Sequence, residues 1–348
     1  MAYASINKSS DFFNTKLYTG DGSARSITGV GFQPDMVWTK VRSTTDNHNL
    51  QDSVRGVQKS LYPDLTLAEA ADAQALTSYD SDGYSIGTQG NMNANSQTFV
   101  SWNWKANGAA SLNEVGSINS TVSVNTTAGF SIVKYTGTGS AATVGHGLGV
   151  APELVIIKKM DSASSSDWMV YQQAISGTGN GHIWLNLTND RGTDTNSWNN
   201  TATTSTVFSI GNRLENNSSG DIFIAYCFSP VKGYSSFKSY TGNGNADGTF
   251  VYTGFKPAFL IIKRYDTTKN WYLHDSKRDG YNNDNPYLSP NITAAETGGT
   301  ELDLLSNGFK MTSSGTGHNA SGGSYLYIAF AENPLVANVG QSIPATAR

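Results

Sequence analysis

Residues 236–264 read SFKSYTGNGNADGTFVYTGFKPAFLIIKR, and the same pattern stands at 15–42, TKLYTGDGSARSITGVGFQPDMVWTKVR, and at 130–159, FSIVKYTGTGSAATVGHGLGVAPELVIIKK. Each copy opens on Tyr-Thr-Gly-x-Gly and reaches a proline 16 residues after the Tyr in the first copy (Tyr18 to Pro34) and 17 in the others (Tyr135 to Pro152, Tyr240 to Pro257). An apolar run then ends in a lysine six residues on, at Lys40, Lys158 and Lys263. Each unit also closes alike, with SQTFVSWNWKA at 96–106, SGDIFIAYCFS at 219–229 and GGSYLYIAFAE at 322–332. A period of roughly 105 to 117 residues is too long for short-repeat solenoids and fits tandem small domains. The expected division is 1–110 with an N-terminal segment, 111–232 with a linker, and 233–348 with an extended C-terminal arm.

Within the third copy, SFKSY and TFVYTGF read as strands around a glycine-rich turn. AFLIIKR is a continuous apolar run of strand length, suited to burial on both faces or to a sandwich core. The expectation is all-β: three tandem antiparallel β-sandwich or jelly-roll-like domains related by internal repeat. The only Ala-rich window with helical composition is LTLAEAADAQALTSY at 65–79. Polar residues 107–128 read as an extended spacer, and 229–236 as a short joint that holds its neighbours close.

Charged residues make up 14% of the 348, and the net charge of -4 offers no basic field for a phosphate backbone, so nucleic acid is excluded as the main partner. With 17 Tyr, 14 Phe and 7 Trp the chain is not a disordered one. The single Cys227 lies in the apolar run DIFIAYCF and reads as a buried, inert thiol. No apolar run reaches the roughly 18 residues of a membrane-crossing helix, and MAYASINKSSDFF lacks the layout of a secretory signal; the expectation is cytoplasmic synthesis without membrane insertion.

Candidate chemistry resolves mostly into turns. Gly137-x-Gly139-x-x-Ala142 resembles a dinucleotide fingerprint, but the Gly- and Pro-interrupted sequence that follows cannot open the required helix. Asn243, Asn245 and Asp247 mimic half of a calcium loop whose twelfth position falls on Gly254, and Asp80 and Asp82 read as turn residues. The five histidines, His48, His146, His182, His274 and His318, share no ligand spacing, and no serine sits in a nucleophile elbow. No catalytic, cofactor-binding or metal residue is assigned, no cofactor is expected, and no ligand-binding residue is fixed. Asp52/Arg55 and Asp275/Arg278 stand 12 residues after the cassette lysine in the outer units and read as a turn closed by an ion pair; the middle unit has VYQQAIS there. Trp38, Trp102, Trp104, Tyr325 and Tyr327 are expected in cores and sheet faces. Tyr281, Tyr287 and Trp198, set in polar loops, are the candidates for a sugar or receptor surface.

INKSSDFFNTKLYTGDG, GFQPDMVWTK, DSVRG, YDSDGYSIG and FVSWNWKANG, followed by the second and third cassettes and the terminus YLYIAFAENPL, span nearly the whole chain. In these segments it resembles repeat-containing virion structural proteins of marine tailed bacteriophages such as cyanophages. The resemblance implies a non-enzymatic particle component, tail-fibre or tail-associated, that helps recognise the host surface, assembled in the host cytoplasm and released by lysis. Implied partners are other virion proteins, further copies of the chain (a trimer, by analogy with fibres), and a host-surface polysaccharide or receptor. The alternatives are a capsid decoration or head-fibre protein with a mechanical role, a glycan-binding module, and a polysaccharide depolymerase.

Overall fold

The computed structural model describes residues 4–161, 166–278, 282 and 286–334. The chain is all-β, with antiparallel sheets and helices of a single turn. In each repeat an opening, a closing, a cassette and a follower strand hydrogen-bond side by side in that order. These are Phe13–Thr19, Thr98–Trp104, Met36–Val41 and Asn49–Asp52 in the first repeat. In the third they are Ser235–Thr241, Ser324–Pro334, Phe255–Arg264 and Trp271–Asp275. In the second, Phe130–Thr136, Ile222–Phe228, Leu154–Lys159 and Met169–Gln172 form the middle of a wider sheet. The long apolar cassette run is thus an inner strand, paired on both edges.

Alternation along the closing strands sends side chains to two different cores. One set, Val100, Trp102 and Trp104 with Ile224, Tyr226 and Phe228 and with Leu326, Ile328 and Phe330, meets in one apolar cluster drawn from all three repeats. The ring centroids of Trp104 and Phe330 lie 5.6 Å apart, and those of Phe228 and Phe330 5.5 Å, so aromatic contacts cross between repeats. Opposite faces fill local clusters with a smaller sheet of the same repeat: Phe223, Ala225 and Cys227 pack with Val144 and Phe208, and Tyr325, Tyr327 and Ala329 with Val251 and Phe309. Each fully buried large apolar side chain contributes about 1.5–3 kcal/mol, so the shared cluster is a major part of the fold's stability.

The window 65–79, helical only in composition, forms no helix: Asp72 accepts from the Gln74 N–H at 2.8 Å to make a turn, and Leu76–Asp80 is a strand. Ala75 and Leu76 are fully buried in the first local cluster, and that packing outweighs alanine's helix preference. The expected spacer also carries structure. Ser111–Asn113 and Ser120–Asn125 pair with each other and extend the second repeat's sheet beyond its opening strand, with Val122 buried. Of the C-terminal arm expected at 332–348, residues 332–334 end the closing strand and the remainder lies outside the described residues.

Candidate functional site

The Tyr-Thr-Gly-x-Gly turn is built the same way three times. The Tyr18, Tyr135 and Tyr240 hydroxyls donate to the carbonyls of Met92, Asn216 and His318 at 2.7, 2.7 and 2.6 Å. The next residue is in every case an asparagine, Asn93, Asn217 or Asn319, whose Oδ1 accepts from the amide between the two glycines at 3.2, 2.8 and 2.9 Å. A Cβ on Gly20, Gly137 or Gly242 would stand 2.2, 2.3 or 2.4 Å from a backbone carbonyl, so nothing larger than glycine fits. The second glycine (Gly22, Gly139, Gly244) has φ near +70°, where glycine is favoured. Both glycines of the fingerprint-like motif are therefore consumed by the turn.

The cassette lysines tie the repeats together in a ring. Each is buried, and each ammonium donates to one carbonyl of its own repeat and one of another. Lys40 reaches Thr293 O at 3.2 Å in the third repeat, Lys158 reaches Thr66 O at 2.9 Å in the first, and Lys263 reaches Thr188 O at 3.0 Å in the second. Burial pushes all three down to about 8. Backbone bonds repeat the cycle, from Glu69 N to Met160 O, Arg191 N to Tyr265 O and Glu296 N to Arg42 O.

Both acid–arginine pairs lie in these seams. Asp52 accepts from Arg55 Nε at 2.5 Å and from the Tyr226 hydroxyl of the second repeat at 2.7 Å. Asp275 accepts from Arg278 Nε at 2.6 Å and from Trp102 Nε1 of the first repeat at 3.0 Å. In the middle repeat Gln172 and Ile175 take the two positions, and the Arg191 guanidinium donates to Ile175 O at 2.5 Å. That arginine stands where Glu69 and Glu296 answer Arg55 and Arg278 in the outer repeats, so a base bonded to a backbone carbonyl replaces the ion pair there.

One position after the cassette proline differs in its surroundings. Asp35, Glu153 and Ala258 are equivalent by backbone bonding: the carbonyl of each accepts from the residue after the follower strand, Ser53, Gln173 or Ser276. The Asp35 carboxylate is saturated by Ala106 N at 2.7 Å, Gly108 N at 3.0 Å and the Ser53 hydroxyl at 2.9 Å. Counting from the aligned Trp104 and Phe228, Ala106 corresponds to Pro230, which has no N–H to give. The Glu153 carboxylate makes no hydrogen bond among the described residues, and its Oε2 is buried. Burial raises its proton affinity above the usual carboxylate range, with the Lys238 ammonium opposing.

Glu153 lines a cleft of about 430 Å³ whose walls include Pro230, Lys232, Lys238 and Tyr252. Tyr252 is 60% exposed, and Phe250, two residues back on the same edge strand, is 45% exposed. Opposite Tyr252 in the sheet is Gly308, so its cross-strand partner sets no side chain against the ring. The size suits a small ligand.

A family model described as Domain of unknown function (DUF7483) matches residues 8–334 and so runs through all three repeats. The chain belongs to this family. No curated protein and no solved structure matches it.

Elsewhere in this DUF7483 chain Trp198, Tyr287 and the histidines are engaged in packing and hydrogen bonds. Trp198, expected at a receptor surface, is buried against Tyr171, and its Nε1 donates to Gly181 O at 3.0 Å. Tyr287 is half-buried in an aromatic group with Tyr272, and Tyr281 lies outside the described residues. All five histidines are buried. His48 accepts from Trp38 Nε1, which leaves its Nε2 to donate to Ser289 O across a seam at 3.1 Å, and burial lowers its basicity. His274 and His318 bond to each other at 3.2 Å, His182 pairs with the Ser197 hydroxyl, and His146 accepts from Leu148 N. Sequence reading missed Glu153 and the three asparagines. The asparagines carried a signal, since each stands five residues before the first residue of its closing strand, at Thr98, Ile222 and Ser324.

Proposed function

We propose that this protein is a non-enzymatic structural component of a tailed-bacteriophage particle, carried on a tail fibre or other tail appendage, where it contributes to host-surface recognition. In this reading the three repeats are β-sandwich units fused in tandem, and the chain meets other virion proteins and further copies of itself. The observation that carries the proposal is how the repeated residues are spent. Tyr18, Tyr135 and Tyr240, the paired glycines, the asparagines and the seam lysines all serve folding and inter-repeat bonding. What differs between repeats, including the Glu153 cleft and the exposed Phe250 and Tyr252, is left for partners. The resemblance to marine phage virion proteins supports the same reading. So does a surface with few charges, which interacts by hydrogen bonding rather than through a long-range field.

The ring of seam bonds also favours a mechanical role on the capsid as the second reading, because a load on one repeat is shared with the other two. A specific antibody imaged on intact virions separates the two. Label at the tail is the expected result; label over the capsid supports decoration instead, and virions without label overturn both.

A further inference from the structure

We infer that the cleft at Glu153 binds a neutral saccharide, with the Glu153 carboxylate accepting from ring hydroxyls and Tyr252 covering a sugar face. This assignment deepens the host-recognition reading and rests on it only for the source of the glycan.

The repeats supply their own comparison. At one backbone position Asp35 has three donors, Ala258 has no carboxylate at all, and Glu153 has a carboxylate and no donor among the described residues. One of the three donors is missing because Pro230 occupies the place of Ala106. A half-buried carboxylate without donors is costly to keep, and neighbouring repeats show that the fold tolerates both a saturated acid and an alanine there. The backbone holds the residue rigidly, with Glu153 N donating to Phe228 O at 2.9 Å and Glu153 O accepting from Gln173 N at 2.8 Å.

Elimination fixes the ligand class. An anion placed against an acid that lacks donors is repelled, and a cation meets the Lys238 ammonium, which already acts on that carboxylate. A neutral molecule rich in hydroxyls satisfies the carboxylate, whose two oxygens accept from adjacent hydroxyls. The Lys238 ammonium then donates to a further hydroxyl oxygen. Tyr252, exposed and opposite a glycine, offers its ring for the apolar face of a pyranose, and Phe250 continues that face along the strand.

The test applies the full-length protein to an array of neutral and uronate-bearing oligosaccharides, followed by titration calorimetry with the best neutral hit. Wild type is expected to bind neutral oligosaccharides. Glu153→Ala and Tyr252→Ala should each weaken binding at least ten-fold with unchanged circular dichroism, and Glu153→Gln, which keeps one acceptor oxygen, should weaken it less than Glu153→Ala. Three results overturn the inference: no binding to any neutral glycan, binding confined to uronate-bearing glycans, or neutral-glycan binding that both alanine variants leave intact. Each leaves the virion reading standing, because antibody labelling of particles decides that independently.

Discussion

Asp275 joins the third repeat to the first, and Asp275→Ala is expected to cost about 3–5 kcal/mol, the range for breaking a buried ion pair from one side. Its side chain and that of Arg278 are fully buried. The substitution removes the 2.6 Å bond from Arg278 Nε and the 3.0 Å bond from Trp102 Nε1, and it also strands the Lys277 and Arg278 amides, each of which donates to Oδ1 at 2.9 Å. Arg278 keeps its bonds to Leu273 O at 2.7 Å and Glu296 at 3.0 Å, which moderates the penalty, whereas the Trp102 N–H loses its partner inside the shared core, at about 1–3 kcal/mol. For a chain of 348 residues the unfolding entropy is about 0.7 kcal/mol per kelvin, so a loss near 4 kcal/mol lowers Tm by about 5–6 °C. Guanidinium unfolding followed by tryptophan fluorescence measures it, with the midpoint falling and the slope unchanged. Removing the guanidinium as well, in Asp275→Ala/Arg278→Ala, should cost less than the sum of the two single changes by about 1–3 kcal/mol, because each single change already removes the bond the two side chains share. Gln172 and Ile175 occupy these positions in the middle repeat without either charge. A single-variant cost below about 1 kcal/mol, or strict additivity in the double variant, refutes the reasoning.

The seam lysines predict an alkaline gain. Their folded-state values near 8 lie below the ordinary 10.5, so between those limits the unfolded chain holds more protons and stability rises with pH; Tm should be higher at pH 9.5 than at pH 7.5, and Lys158→Met should flatten the slope. In acid the sign works against the fold. Burial holds His182 down to about 4, so the stability it gives by staying neutral is lost as pH falls from 6.5 towards 4, about 3 kcal/mol from this residue, measurable as a lowered guanidinium midpoint. Asn217→Ala removes bonds to Ser140 O at 2.6 Å, Gly211 O at 2.5 Å and from Thr138 N at 2.8 Å, and should cost about 3 kcal/mol in the same assay. Cys227 is buried with its thiol pushed well above the usual range, so a thiol reagent should fail to label it until denaturant is added.

Much of the architecture was legible because three copies state it three times. The spacing from Tyr to Pro to Lys placed the opening and cassette strands, and AFLIIKR read as a strand buried on both faces. The structure gives the reason: Leu260 and Ile262 face the local cluster while Phe259 and Ile261 face the shared one. Which neighbour covers the second face was not legible, since alternation reports burial and not the identity of the partner. The seam role of Lys40, Lys158 and Lys263 was hidden for a related reason, because a terminal lysine on an apolar run ordinarily reads as a strand end reaching solvent. Glu153 left no pattern of its own. Its meaning comes from comparing the pair Asp35 and Ala106 with the pair Glu153 and Pro230, each separated by about 70–80 residues in sequence and brought together only by folding. Residues 107–128 misled because Ser, Thr and Asn serve an edge strand as readily as a linker.

Differential scanning calorimetry of the intact chain tests the central structural claim, that three repeats share one core, most directly. At about 0.7 kcal/mol per residue, 348 residues give a calorimetric enthalpy near 240 kcal/mol. The shared cluster predicts a single endotherm whose van't Hoff enthalpy matches that total. A van't Hoff value near one third of it, or three resolved transitions, would show repeats that unfold independently and contradict the account.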